Sequence, residues 1–89
     1  MRISRKKQEK ISEQILGYLF SVSPRAVFTS HIASEIIRDE EFTKKLLLNL
    51  EKKGFVIQIK KSPKGKRYLK RQRWKLSDKV YQTYKQYQR

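Results

Sequence analysis

The 89-residue sequence contains no cysteine and only one histidine, His31. Without cysteine the chain has no disulfide framework and no thiolate metal site. A single histidine cannot by itself build a metal centre or a Ser–His–Asp arrangement, so we expect His31 to be an exposed polar residue. The sequence also lacks a phosphate-cradling glycine loop and a paired-carboxylate motif. We therefore expect neither an enzyme nor a bound cofactor or metal.

Long apolar runs are missing as well. No stretch approaches the ~20 apolar residues that span a bilayer. A basic start followed by "ILGYLFSV" has the order of a signal peptide, but Glu9 and Glu13 interrupt it and "SPRAV" is a poor cleavage site. We expect no membrane segment and a cytoplasmic, nucleoid-associated protein.

Acids are scarce beside bases. Eight Asp and Glu accompany 23 Lys and Arg, which gives a net charge of +15. In residues 60–75, "KKSPKGKRYLKRQRWK", nine bases stand without one acid. Such a charge favours nucleic acid or an anionic membrane surface as partner. Hydrophobic residues make up 37% of the chain, enough for one modest core and too many for wholesale disorder.

Apolar residues at helical spacing predict two helices in the first part of the chain. The first covers residues 11–22 and stops at Pro24. Residues 1–10 form a basic arm, either frayed or the start of this helix, because cations oppose the helix dipole at an N-terminus. The second helix has Thr29 or Ser30 as its N-cap and ends near Arg38.

A third helix is predicted over residues 39–53, with acids at its start, lysines at its end and Gly54 as its stop. The buried face of this helix is predicted to hold four apolar residues: Phe42, Leu46, Leu47 and Leu50. The opposite face is predicted to carry Glu41, Lys44, Lys45, Leu48 and Lys52.

The period then changes to that of β-strands. "FVIQIKK" and "RYLKRQRWKL" read as two antiparallel strands joined by the turn "SPKGK". Tyr68, Trp74 and Leu76 share one face, so we expect a hairpin whose apolar face docks on the helices and whose basic face points outward. Core packing is the expected role of Tyr68 and Trp74, and stacking on single-stranded bases is the alternative.

The last stretch, residues 77–89, predicts a fourth helix that begins after Ser77. Its tyrosines Tyr81, Tyr84 and Tyr87 either pack on the first helix of the same chain or pair with a second copy. We expect the second arrangement, a homodimer, because a chain with so small a core gains from such a partner.

The order of helix, short helix, helix and hairpin resembles that of a winged helix-turn-helix domain. "FTSHIASEII" resembles its positioning helix, and "FTKKLLLNLEKKGFV" is similar to the recognition helix of MarR, ArsR and related small regulators. "RWKLSDKV" resembles the end of its second wing strand. The resemblance implies an α+β fold with three helices, a two-stranded β-hairpin wing and a C-terminal helix, and its core would span residues 11–76. It also implies double-stranded DNA as partner.

In such a fold the helix 39–53 would enter the major groove, and the basic wing 60–67 would reach backbone or minor groove. The predicted DNA contacts are Ser30, Lys44, Lys45, Lys52, Lys61, Lys64, Lys66, Arg67, Arg71 and Arg73. Glu40 and Glu41 count against sequence-specific recognition of DNA by this helix, because DNA phosphates would repel them. Leu48 stands where a polar base-reading residue is expected, and it either touches a thymine methyl or marks a protein contact.

A transcriptional regulator with a defined operator is the first interpretation of these features. Three alternatives stay open. They are an architectural protein that binds duplex DNA with little sequence preference, an RNA-binding protein, and a winged helix used for protein contacts.

Overall fold

The computed structural model describes residues 4–59 and 72–87, which form four helices and a small antiparallel sheet. The sheet has the strand order β1-β3-β2. The helices are α1 (Arg5–Val22), α2 (Thr29–Ile36), α3 (Glu40–Lys52) and α4 (Asp78–Tyr87), and the strands are β1 (Val27–Phe28), β2 (Val56–Ile59) and β3 (Arg73–Leu76). This is the predicted winged-helix order. The segment 60–71, which joins β2 to β3, lies outside the described residues.

Helix α1 begins six residues earlier than the predicted position 11, at Arg5. Ser4 is its N-cap, and the Ser4 hydroxyl accepts a hydrogen bond from the Lys7 backbone N–H at 3.2 Å. This bond satisfies one of the free donors of the first turn and offsets part of the cost of placing cations there. Residues 5–10 of the predicted basic arm are therefore the start of the helix.

The predicted cap of α2 is wrong. Phe28 takes the N-cap position without a side-chain cap, Thr29 is the first helical residue and is buried, and Ser30 is exposed. The cause is strand β1, which the sequence did not predict and which pairs with β3, Val27 opposite Trp74. Because this pairing carries the chain straight from a strand into the helix, the Thr29 hydroxyl is used in a tertiary contact instead.

Helix α3 follows its prediction closely. The Asp39 carboxylate caps it by accepting the Phe42 backbone N–H at 3.0 Å, and Gly54, at φ 81°, lies directly beyond its C-cap residue. Leu46, Leu47 and Leu50 are buried as predicted. Thr43 takes the fourth buried place, while Phe42 is only partly buried.

The core lies where α1, α2 and α3 meet one face of the sheet. Its largest fully buried side chain is Trp74, with Ile15, Leu19 and Leu47 also wholly inaccessible to solvent. The Trp74 indole Nε1–H donates to the Thr29 hydroxyl oxygen at 2.7 Å. The prediction that Trp74 is a core residue is confirmed, and its burial rules out the alternative of a stacking platform. Tyr68 lies outside the described residues.

Helix α4 starts after Ser77, whose hydroxyl accepts the Val80 backbone N–H at 3.4 Å. Its tyrosines Tyr81 and Tyr84 each pack against Phe20 of α1, with ring centroids 5.5 Å apart. Burial raises the pKa of the Tyr84 hydroxyl, and the negative charge of Glu13 adds to that rise. Tyr87 is 84% exposed. Two of the three tyrosines predicted at a dimer interface thus contact the first helix of their own chain.

The turn between α2 and α3 contains a conformationally costly residue. Ile37 ends α2 with φ 54° and ψ 56°, and its side chain is 86% exposed. A β-branched residue in the left-handed region costs ~1–2 kcal/mol, which glycine avoids. We expect Ile37→Gly to raise the free energy of unfolding by about 0.5–1 kcal/mol, after the extra chain entropy of glycine is subtracted. Denaturant unfolding followed by the fluorescence of Trp74 measures the change.

Ile36→Gly is the matched control, because Ile36 is the last helical residue of α2 and packs partly against the core. The same substitution one position earlier should lower the stability. A loss of stability in both variants would contradict the assignment of backbone strain to Ile37.

Candidate nucleic-acid interface

The start of α2, the first half of α3 and the residue before β3 together border an open groove of about 510 Å³. Its lining residues are Phe28, Thr29, Ser30, His31, Glu40, Lys44 and Gln72. The groove therefore brings together Ser30 and Lys44, two of the predicted DNA contacts, which are 14 residues apart in sequence. His31 is exposed as expected, and its ring meets Phe28 edge-on with centroids 5.8 Å apart.

The solvent-facing side of α3 carries the second group of predicted contacts. Lys44, Lys45 and Lys52 are exposed, and Leu48 lies among them with 41% of its surface exposed. With its side chains an α-helix is ~10–12 Å across. The major groove of B-DNA is ~12 Å wide and admits such a helix. The charge and exposure of this face therefore suit an approach to duplex DNA.

The three acids at the start of α3 have different surroundings. Asp39 is held at the cap by its bond to Phe42, Glu40 lines the groove beside Lys44, and Glu41 is exposed. All three lie where the helix dipole favours negative charge, so they stabilise the helix. This stabilising role explains why acids lie near the lysines, and the explanation does not require the acids to contact a binding partner.

Arg73 differs from the other predicted contacts. It lies within β3, opposite Phe28 on one side and Ile59 on the other, and its side chain is only partly exposed. The alternation predicted for this strand is nevertheless present, because Trp74 and Leu76 are buried between the less buried Arg73 and Lys75. The remaining predicted contacts lie outside the described residues: Lys61, Lys64, Lys66, Arg67 and Arg71.

Sequence reasoning missed the residues that connect the helix-turn-helix to the strand. The Gln72 carbonyl oxygen accepts the Thr29 backbone N–H at 3.2 Å and lies 3.5 Å from the Thr29 hydroxyl oxygen. Together with the Trp74 indole bond, these contacts fix the start of α2 against the start of β3. The two apolar residues before Thr29 are the only sequence signal for this arrangement, and two residues are too few to predict a strand.

The described ranges hold neither a metal cluster nor a membrane helix. Within residues 4–59 and 72–87, no three His, Asp or Glu side chains are grouped so that they could hold a metal ion. No helix in this part of the chain is long and apolar enough to cross a membrane.

Among solved structures, several with high structural similarity are of transcription regulators. The complex of Staphylococcus aureus MepR with DNA gives a TM-score of 0.71 at 20% identity, over 92% of this chain and 67% of that one. MepR, a transcription regulator of the S. aureus multidrug efflux pump MepA, gives 0.67 at 20% identity, over 92% of this chain and 62% of that one. A variant of Lactococcus lactis ZitR gives 0.62 at 14% identity, over 83% of this chain and 48% of that one.

These similarities define the class of the fold. The chain is a winged helix-turn-helix domain, so the predicted fold is confirmed, and the arrangement of its elements is like that of MepR. The chain spans about half to two-thirds of the length of these structures. No family model and no curated protein sequence matches it.

Proposed function

We propose that this protein binds double-stranded DNA as a transcriptional regulator, with α3 in the major groove. The observation that carries the proposal is the solvent-facing side of α3, where Lys44, Lys45 and Lys52 are exposed beside the groove that holds Ser30. The net charge of +15 supplies the long-range attraction to phosphate. MepR, which shares the fold, has been solved in complex with DNA.

Each predicted residue takes a distinct part in this proposal. Ser30, near the N-terminus of α2, donates to a phosphate, and Lys44 and Lys45 reach guanine edges or phosphates of the groove that α3 enters. The basic wing 60–67, together with Arg71 and Arg73, neutralises the flanking backbone or minor groove. Phosphate contacts of this kind fix orientation, and base contacts add sequence preference.

The proposed active form is a homodimer, since helix-turn-helix dimers bind two half-sites about one helical turn apart. Helix α4 supports this proposal because it has no fully buried residue and leaves Tyr87 84% exposed. Tyr81 and Tyr84 hold α4 on α1 through Phe20, so they would shape the interface, while Tyr87 would contact the second copy. A short helix with so little packing in its own chain gains stability from a partner.

An architectural role is the second candidate. The outward side of α3 presents lysines and a leucine, where a sequence-specific DNA-binding protein often presents arginine or glutamine. Lysine contacts phosphates as well as bases, so these side chains do not by themselves require a defined sequence. Architectural proteins depend on backbone contacts and tolerate many sequences. Competition by unlabelled duplexes of random and selected sequence distinguishes the two candidates, and duplex RNA as competitor tests the RNA-binding alternative.

The decisive experiment measures binding to labelled duplex DNA across about 50 to 300 mM salt. If five to eight cations contact phosphate, the log–log slope of affinity against salt should be about −4 to −7. The double variant Lys44→Ala/Lys45→Ala should weaken binding and make the slope shallower by about one for each phosphate that a lysine no longer neutralises. The quadruple wing variant, with Lys61, Lys64, Lys66 and Arg67 changed to alanine, should bind more weakly still. The same titration gives the number of chains per duplex.

The matched control is Lys6→Ala/Lys10→Ala, which removes the same charge from exposed positions near the start of α1. We expect it to keep most of the affinity, because these lysines belong neither to the proposed DNA-binding surface nor to the proposed dimer interface. Equal losses of affinity in the α3 and α1 variants would show that only total charge matters. Absence of salt-dependent binding to any duplex would refute the proposed function and favour a protein partner.

A further inference from the structure

Helix α3 exposes a leucine that the core does not require. Leu46, Leu47 and Leu50 fill the buried face of the helix at 5%, 0% and 3% exposure, whereas Leu48 turns outward with 41% exposed. Its neighbours on the helix surface are Lys44 and Lys45 one turn before and, one turn after, Lys52 and the partly buried Glu51. Leu48 is therefore a single exposed apolar side chain among three cations and one acid.

The charge around Leu48 indicates which kind of surface it would contact. Apolar contacts between proteins usually need a contiguous apolar patch, and the charged side chains on either side of Leu48 interrupt any such patch on α3. Duplex DNA has the complementary arrangement of charge, since its anionic phosphates lie on both sides of the base edges that form the floor of the major groove. The only methyl group that standard bases present in the major groove is the C5-methyl of thymine. An apolar tip between lysines matches a thymine methyl between phosphates.

We propose that Leu48 is a specificity-determining residue that reads a thymine through its C5-methyl group. This inference rests on the proposed function, since it assumes that α3 enters the major groove. Leu48 lies four positions after Lys44, a rise of about 6 Å along the helix, which corresponds to roughly two base steps of duplex. The thymine should therefore lie within about two base pairs of the base or phosphate that Lys44 contacts.

The test combines a change in the DNA with a change in the protein. Preferred duplexes are first selected from a random library by the wild-type protein, and each thymine is then replaced singly by deoxyuridine, which removes only the methyl group. At one position per half-site the wild-type protein should bind the uridine duplex about fourfold more weakly, the effect of burying roughly one methyl group. Leu48→Ala should bind both duplexes equally at that position.

Ile57→Ala is the control variant, because Ile57 is an exposed aliphatic residue of matching exposure, 42%, on β2. It should keep the wild-type sensitivity to deoxyuridine, whatever its overall affinity. Salt-dependent wild-type binding that ignores every thymine methyl would overturn the inference and leave the proposed function intact. Equal sensitivity in the wild type and Leu48→Ala would also overturn it. Failure of the wild type to bind any duplex would refute the proposed function as well.

Discussion

Replacing Leu47 by alanine should lower the free energy of unfolding by about 2–5 kcal/mol, the range for a buried leucine that leaves a cavity. Leu47 is fully buried at the centre of α3, within the cluster that also holds Ile15, Leu19 and Trp74. A small domain has a total stability of about 5–15 kcal/mol, so this single change removes a large share of it. Denaturant unfolding followed by Trp74 fluorescence gives the value directly.

The neighbouring Leu48→Ala provides the control, because the two leucines differ in burial but have the same chemistry and the same helix. Leu48 is 41% exposed, and we expect its replacement to change stability by about 0.5 kcal/mol or less. The pair therefore separates the two faces of α3, with one leucine needed for folding and the other proposed for recognition. Similar losses of stability in both variants would mean that the helix does not face the core as described.

Replacing Thr29 by valine should destabilise the protein by about 1–3 kcal/mol, although the two side chains have nearly the same shape. The Thr29 hydroxyl is the acceptor for the Trp74 indole N–H at 2.7 Å, and both residues are buried. Valine leaves that donor without a partner in an apolar core, and an unsatisfied buried donor costs more than the net value of the bond. The change also removes the hydroxyl that lies 3.5 Å from the Gln72 carbonyl oxygen.

Nuclear magnetic resonance can follow this hydrogen bond in isolation, since the chain has one tryptophan and therefore one indole N–H signal. In the wild type the Trp74 Nε1–H should exchange slowly with solvent and shift on replacement of Thr29 by valine. Thr29→Ser keeps the hydroxyl, so it should retain the wild-type signal and lose only the contribution of one methyl group, about 0.8 kcal/mol. Faster indole exchange in the serine variant than in the valine variant would contradict the assignment.

The sequence predicted best those elements whose signals are local. The 3.6-residue spacing of leucines in α3, its acids and Gly54 were enough to predict the helix, its stop and the exposed face that carries Lys44 and Lys45. The alternation of Trp74 and Leu76 likewise predicted β3 and its buried side. These features depend on residues close together in the chain.

The features that the sequence did not predict depend on contacts between distant residues. Strand β1 is two residues long and exists only because Val27 and Phe28 pair with β3, more than 40 positions away. That pairing also explains why the predicted cap of α2 is wrong. It places Thr29 beside Trp74, and the Thr29 hydroxyl accepts the Trp74 indole N–H instead of capping the helix. The groove at Ser30 was missed for the same reason, since Gln72 completes it from the far end of the chain.

The position of β3 at the centre of the sheet, between β1 and β2, has a consequence for the order in which the protein is made. The first three helices leave the ribosome before β3, so they emerge without the Trp74 and Leu76 side chains that fill the core between them. Local helices can form early, but the packed domain must wait until β3 itself is outside the exit tunnel. A nascent chain that stops before β3 would expose the apolar faces of all three helices, which makes it a substrate for chaperones and proteases.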